Sequence, residues 1–157
     1  LNTAITTTGW PSLAASRGKV LFFMDNADLR NTYLDGHPSL ENRVMFTSSG
    51  EGEPDGAILK VNDPGDGSHI AALVEQGYIV RTRADADLEQ AWAGDHTRAA
   101  VALASGAQLV STDFPVGETY GPTGYRVAFD DLAAQGRCNP VNTTADDCTL
   151  VTVVEPR

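Results

Sequence analysis

The chain has 157 residues, with 11 Lys and Arg against 21 Asp and Glu, a formal net charge of −10. That length buries one core, so one domain is expected, and the acidic balance works against nucleic acid or an anionic membrane as a partner drawn in by long-range attraction. No apolar run approaches the ~20 residues of a membrane-spanning helix, Leu1 does not open a basic-plus-apolar signal sequence, and a start at Leu points to a processed or excised segment.

Residues Thr8 to Ser16 read as a helix, with Pro11 tolerated in its first turn. After Gly18, Lys19 to Asp25 (KVLFFMD) is a near-continuous apolar strand of the kind buried on both faces. Asn26 to Pro38 is a polar mixture, read as a short helix and loop. Arg43 to Thr47 is a second strand, SSGEGEPDG a loop, and Ala57 to Val61 a third strand. The turn NDPGDG, Asn62 to Gly67, leads to Ser68 as a cap for a helix from His69 to Gln76.

Tyr78 to Arg83 is the fourth strand, and Asp87 with Gln90 makes a capping-box-like helix start. Asp95 caps an Ala-rich helix running to Ser105, with Gly106 just past its end. Gln108 to Thr112 is the fifth strand. Beyond Val116 the chain is Gly/Pro-rich, with one helical turn near Phe129 to Ala134. Five strands separated by helical or long crossover segments predict a parallel sheet. A barrel segment and a flavodoxin-like open sheet both fit that count.

Strand alternation selects the candidate site residues. In the fourth strand Ile79, Arg81 and Arg83 share one face, and Tyr78, Val80 and Thr82 the other. Guanidinium groups at a strand end suit a phosphodiester, since they stay charged and donate bidentately. The competing role is an ion pair with Asp85 or Asp113. In the third strand Ile58, Lys60 and Asn62 share a face, and the Lys60 ammonium would stabilise charge developing on a phosphate oxygen. A solvated rim lysine is the plainer alternative. Asp25 ends the first strand.

Cys138 and Cys148 lie ten residues apart in a Pro/Asn/Thr-rich tail, a spacing that suits a disulfide, against the alternative of two free thiols. Asn142-Thr143-Thr144 between them is a glycosylation sequon. Both features favour an extracellular compartment. DNADLRN and NDPGDG are rich in oxygen donors but do not match a calcium loop of the EF-hand type. His37, His69 and His96 fall in loops or near helix starts, away from the predicted strand ends.

From Trp10 through GKVLFFMDN, HPSLENRVMF, AILKVNDP and VRTRAD to RCNP, and in the strand ending STDFP, the chain resembles the phospholipase C-like phosphodiesterases. It is most similar there to the calcium-dependent phosphoinositide phospholipase C group of secreted proteins. The likeness covers most of the chain but only the second half of such an enzyme. It implies an α/β fold, a (β/α)8 TIM-barrel with only about strands 4–8 in this chain, since a complete barrel takes about 250 residues. Residues 1–116 would be the C-terminal half of the barrel, and residues 117–157 a loop-rich tail of the same domain.

The resemblance further implies a phosphoinositide, or a related phosphodiester such as a glycerophosphodiester, as substrate. It places Arg81, Lys60, Asp25, Arg83 and Asn62 around phosphate and inositol, and gives Asp113 the structural task of fixing the loop after the last strand. Calcium and a pair of acid–base histidines are implied on the first half, which makes that half a partner and leaves the present chain inactive alone. Transient contact with a membrane surface is implied by the substrate. A non-catalytic binding module with an incomplete barrel is the alternative.

Overall fold

The computed structural model describes residues 1–129 and 136–143. Two short helices open the chain, α1 (Asn2–Thr7) and α2 (Leu13–Ser16), followed by strand β1 (Phe22–Met24). A 3-10 turn (Ala27–Leu29) runs into α3 (Arg30–Leu34), then come β2 (Met45–Thr47), β3 (Ile58–Lys60), α4 (Ser68–Glu75) and β4 (Ile79–Arg83). Helices α5 (Glu89–Ala93) and α6 (Thr97–Ala104) precede β5 (Leu109–Ser111). The expected turn near Phe129 to Ala134 lies, beyond Phe129, outside the described residues.

Among the described residues, every pairing between the five strands is parallel. β1 pairs with β2, Phe22 opposite Met45, and β3, β4 and β5 form a second sheet in that order. An isolated parallel bridge from Ser49 to Leu59 links the two. The α/β expectation with a parallel sheet therefore stands, but the described residues form two sheets and no closed barrel. All five expected strands are present, each shorter than its apolar run. In the first run, Val20 is 76 % exposed and Phe22 56 %, because β1 has a neighbour on one edge alone.

The second sheet is covered on one face. Leu59 and Val80 pack with Ile70, Leu73 and Val74 of α4, together with Ile5, Ala57 and Tyr78. Burying each of the three α4 side chains contributes roughly 1.5–3 kcal/mol. Val110 and Ala84 meet Ala91, Ala99, Ala102 and Tyr125 in a second cluster. The opposite face carries Ile58, Lys60, Ile79, Arg81, Arg83, Leu109 and Ser111 by register, and there Leu109 is 53 % exposed.

Three local expectations need correction. Of the helix read over Thr8–Ser16 only α2 (Leu13–Ser16) forms: Thr8 caps the end of α1, Gly9 at φ 83° breaks the path, and α2 starts where Ser12 Oγ accepts from Ala15 N at 3.2 Å. The unforeseen α1 is held from outside: Asn2 Nδ2 donates to Gly56 O (3.0 Å) and to the Tyr78 hydroxyl (2.8 Å), and Ile5 is buried. Gly77 permits this approach, since a Cβ there would stand 2.6 Å from Ile5 O. Ser68 is the first residue of α4 rather than its cap, and Asp66 Oδ1 accepts from Ser68 N at 2.9 Å. Asp87 does not cap α5; Gln90 Oε1 accepts instead from Ala86 N at 2.8 Å.

Tyr125 closes the second cluster. It is fully buried, stacks on His96 at 4.7 Å, and its phenol is pushed up to about 12 by burial and by Asp85. A raised phenol favours the fold while neutral, so its contribution is intact below pH ~10 and is lost as pH rises towards about 12. The loss should reach roughly 2–3 kcal/mol, from about 1.4 kcal/mol per unit. Denaturant titrations at pH 9 and 12 should show a smaller drop for Tyr125→Phe than for the native chain, and equal drops would contradict this.

Candidate functional site

The site is built where strands β1, β3 and β4 end. β3 and β4 place Lys60 and Arg81 opposite one another on the face not covered by helices. Lys60 Nζ reaches back to the end of β1, where it lies 2.5 Å from Asp25 Oδ1 and donates to Asp25 O at 3.1 Å. The hydrogen bond and charge of Lys60 hold the Asp25 carboxyl below its ordinary range, with a smaller contribution from Arg81. Arg81 Nη1 donates to Asn62 Oδ1 just past β3. Arg83, two residues along the same face, lies 4.0 Å from Asp113 Oδ2.

The structure thus brings Asp25, Lys60, Asn62, Arg81 and Arg83 to one rim, as strand parity predicts. The alternation in β4 is direct: Val80 and Thr82 are buried, while Ile79, Arg81 and Arg83 are half-buried. Of the two arginines, Arg83 makes the ion pair weighed for it, within the described residues. Arg83 takes the acidic partner, Asp113, while Arg81 is held by a neutral amide. Lys60, Arg83 and Arg98 each have a carboxylate within 4.0 Å. Among the described residues Arg81 has none that close, so its charge is the least compensated on the rim.

Asp113 also serves the loop after β5. Its backbone N–H donates to Asp85 Oδ1 at 3.1 Å, and Thr112 Oγ1 donates to Asp85 Oδ2. Asp85 itself is buried, and it ties the end of β4 to the end of β5. His96 stacks on Tyr125, His69 sits in the first turn of α4, and His37 follows α3. None of the three contributes a hydrogen bond to the rim.

Two clusters were not visible in the sequence. Arg30, at the start of α3, forks onto Asp55, with Nε to Oδ2 at 2.9 Å and Nη2 to Oδ1 at 2.5 Å. Thr47 and Ser49 donate to the same carboxylate at 2.6 and 3.0 Å. Burial pushes the Asp55 carboxyl up, but these hydrogen bonds more than offset it, and it lies below the ordinary value. The second is Arg98 of α6, which reaches the loop after β3. Neither has a local signal, because the partners lie 25 and 35 residues apart.

Calcium does not fit the rim. Among the described residues no group of three or more His, Cys, Asp or Glu side chains comes together to hold a metal. The carboxylate best placed for it, Asp25, is already neutralised by Lys60. A cavity of about 880 Å³ runs along β5, lined by Leu109, Ser111, Thr112, Val127 and Arg137 among others. Lys60, Arg81 and Arg83 do not line it; each is part-exposed at the strand ends.

Comparison with known proteins adds one positive finding. A family model described as phosphoinositide phospholipase C, Ca2+-dependent, matches residues 1–140. No curated protein and no solved structure matches the chain. The matched span takes in every strand and helix above and every rim residue from Asp25 to Asp113, and on it the chain belongs to the Ca2+-dependent phosphoinositide phospholipase C family.

Proposed function

We propose that the chain supplies the phosphate- and inositol-binding side of a phosphoinositide-specific phospholipase C. The observation that carries this reading is Arg81, held at an open rim by a neutral amide beside the Lys60–Asp25 pair. A guanidinium so placed keeps its charge and its remaining donors for an anion. In the reaction the inositol 2-hydroxyl oxygen bonds to phosphorus and the bond to the diacylglycerol oxygen breaks. The hydroxyl proton leaves to a base and an acid protonates the departing oxygen, giving diacylglycerol and a cyclic inositol phosphate. Lys60 and Arg81 would neutralise the phosphate oxygens as charge builds there, with Arg83 next to them, Asp25 keeping Lys60 in place and Asn62 keeping Arg81 in place.

The acid–base pair and the calcium ligands belong, on this reading, to a barrel half that packs on this one. The sheet geometry supports it. Parallel sheets are ordinarily covered on both faces, yet here Phe22 and Leu109 are half-exposed and Val44 is 80 % exposed. An N-terminal half carrying the first three strands would cover them and complete a (β/α)8 barrel. The match is to a phosphoinositide family, which favours that substrate over a glycerophosphodiester. Assay of the intact enzyme on phosphatidylinositol and on glycerophosphoinositol decides between them: faster release of diacylglycerol is expected, and preferential hydrolysis of the glycerol ester would reverse the assignment.

The reading also makes the protein secreted, with Cys138 and Cys148 joined and with transient contact to a lipid surface. Cys148 lies outside the described residues, so the bridge rests on sequence spacing; exposed Asn142 sits in the intervening segment. Intact-mass analysis after alkylation without reductant should show no modified thiol, and two added alkyl groups would refute the bridge.

A further inference from the structure

Arg98 is unused by the reading above, yet it touches the loop that holds Arg81. From the first turn of α6 its Nη2 donates to Asn62 O at 2.7 Å, and its Nη1 lies 3.1 Å from Asp63 Oδ1. Asp63 Oδ1 also accepts from Gly65 N at 3.3 Å. The segment it grips is NDPGDG, whose glycines Gly65 and Gly67 have φ of 55° and 84°. Such a loop has much conformational freedom to lose. Arg98 fixes both the backbone carbonyl of Asn62 and the next side chain, and Asn62 Oδ1 in turn accepts from Arg81 Nη1.

We propose that Arg98 is a positioning residue: it acts through Asn62 to hold the Arg81 guanidinium at the rim in the orientation that receives phosphate. It touches no substrate itself. Its two side-chain hydrogen bonds, the one to Asp63 being also an ion pair, are both spent on the loop, and its Nε is buried without a partner among the described residues. Coupling of this kind, one shell behind a binding group, alters ligand affinity by roughly 3- to 30-fold. The inference rests on Arg81 being the phosphate contact, but the Arg98–Asn62–Arg81 linkage can be tested without that.

The test uses the side-chain Nε–H signals of arginine in the isotopically labelled chain, with inositol 1-phosphate as the probe. Two variants cut the link from opposite ends: Arg98→Lys, which keeps the charge and loses the fork, and Asp63→Asn on an exposed side chain. In both, the Arg81 signal should show greater fast mobility without ligand, and inositol 1-phosphate affinity should fall roughly 3- to 30-fold at an unchanged melting temperature. In an Arg81→Ala background, Arg98→Lys should cause no further loss of affinity. An Arg81 signal as ordered in both variants as in the native chain overturns the proposal. A further affinity loss in the Arg81→Ala background also overturns it, since Arg98 would then act on the anion directly. Loosened Arg81 with no inositol 1-phosphate binding even by the native chain would instead sink the phosphate reading and leave the linkage standing.

Discussion

Arg30→Met should lower stability by roughly 3 kcal/mol, the low end for a broken buried ion pair because Arg30 is itself partly exposed. The Asp55 side chain is completely buried, and the Arg30 fork is the largest of the contributions that favour its charged form. Without it, burial alone acts on Asp55 together with two hydroxyl donors, and the carboxyl moves up from its depressed value. In the native chain Asp55 has a lowered pKa, so its contribution is present above the unfolded value of ~3.9 and is lost as pH falls through the folded one.

In Arg30→Met the carboxyl titrates higher than in the native chain, so the gap between native and variant should be widest near neutral pH and narrow on acidification. A drop of about 6–12 °C in melting temperature at pH 7 is expected for a chain of this size. Thermal melts at pH 7 and pH 4.5 check both statements. A variant within a degree of the native chain at pH 7 would show that the pair adds nothing.

Arg81→Ala should reduce phosphatidylinositol turnover by the intact enzyme roughly 30- to 1,000-fold, which corresponds to losing about 2–4 kcal/mol of transition-state stabilisation. Arg81 is half-buried at the end of an otherwise intact strand, and within the described residues its side chain's one hydrogen bond goes to Asn62 at the rim. Little stability should go with it. Arg81→Lys should recover little activity, because one ammonium cannot reproduce a planar fork. Retained activity with a lowered melting temperature would make Arg81 structural and leave Lys60 as the sole phosphate contact.

The contrast between these two arginines shows what the sequence conveys. Arg81 was legible because β4 alternates: buried Val80 and Thr82 point one way, so Ile79, Arg81 and Arg83 must point the other. Its place opposite Lys60 comes from the parallel register of β3 and β4. Asp95, read as the cap of α6, stands one residue before the actual cap, His96, though its Oδ1 accepts from Thr97 N at 2.8 Å. Arg30 was not, since it stands in a polar stretch and its partner lies in a loop that composition alone reads as SSGEGEPDG. That loop is held by hydrogen bonds between residues distant in sequence, which leave no periodic trace.

The same limit explains α1 and the sheets. Asn2 to Thr7 is half threonine, weak as a helix on propensity, and forms because Asn2 and Ile5 dock onto the β3 and β4 region. The division into two sheets turns on how β2 meets β3, where the contact is one bridge at Ser49. Strand count and direction are written in apolar runs; the number of ladder bonds between two neighbouring strands is not.

The central claim is that Lys60 and Arg81 form the phosphate contact, and the most direct measurement of it is a titration of the labelled chain with inositol 1-phosphate. Chemical shifts of the Lys60 Nζ-bearing methylene, the Arg81 and Arg83 Nε–H groups and the Asn62 amide should move together along one saturating curve. They should stay still when myo-inositol replaces the phosphate ester. Saturable shifts that map elsewhere, along the β5 cavity for instance, or no shift at Arg81 while the chain remains folded, would contradict the account.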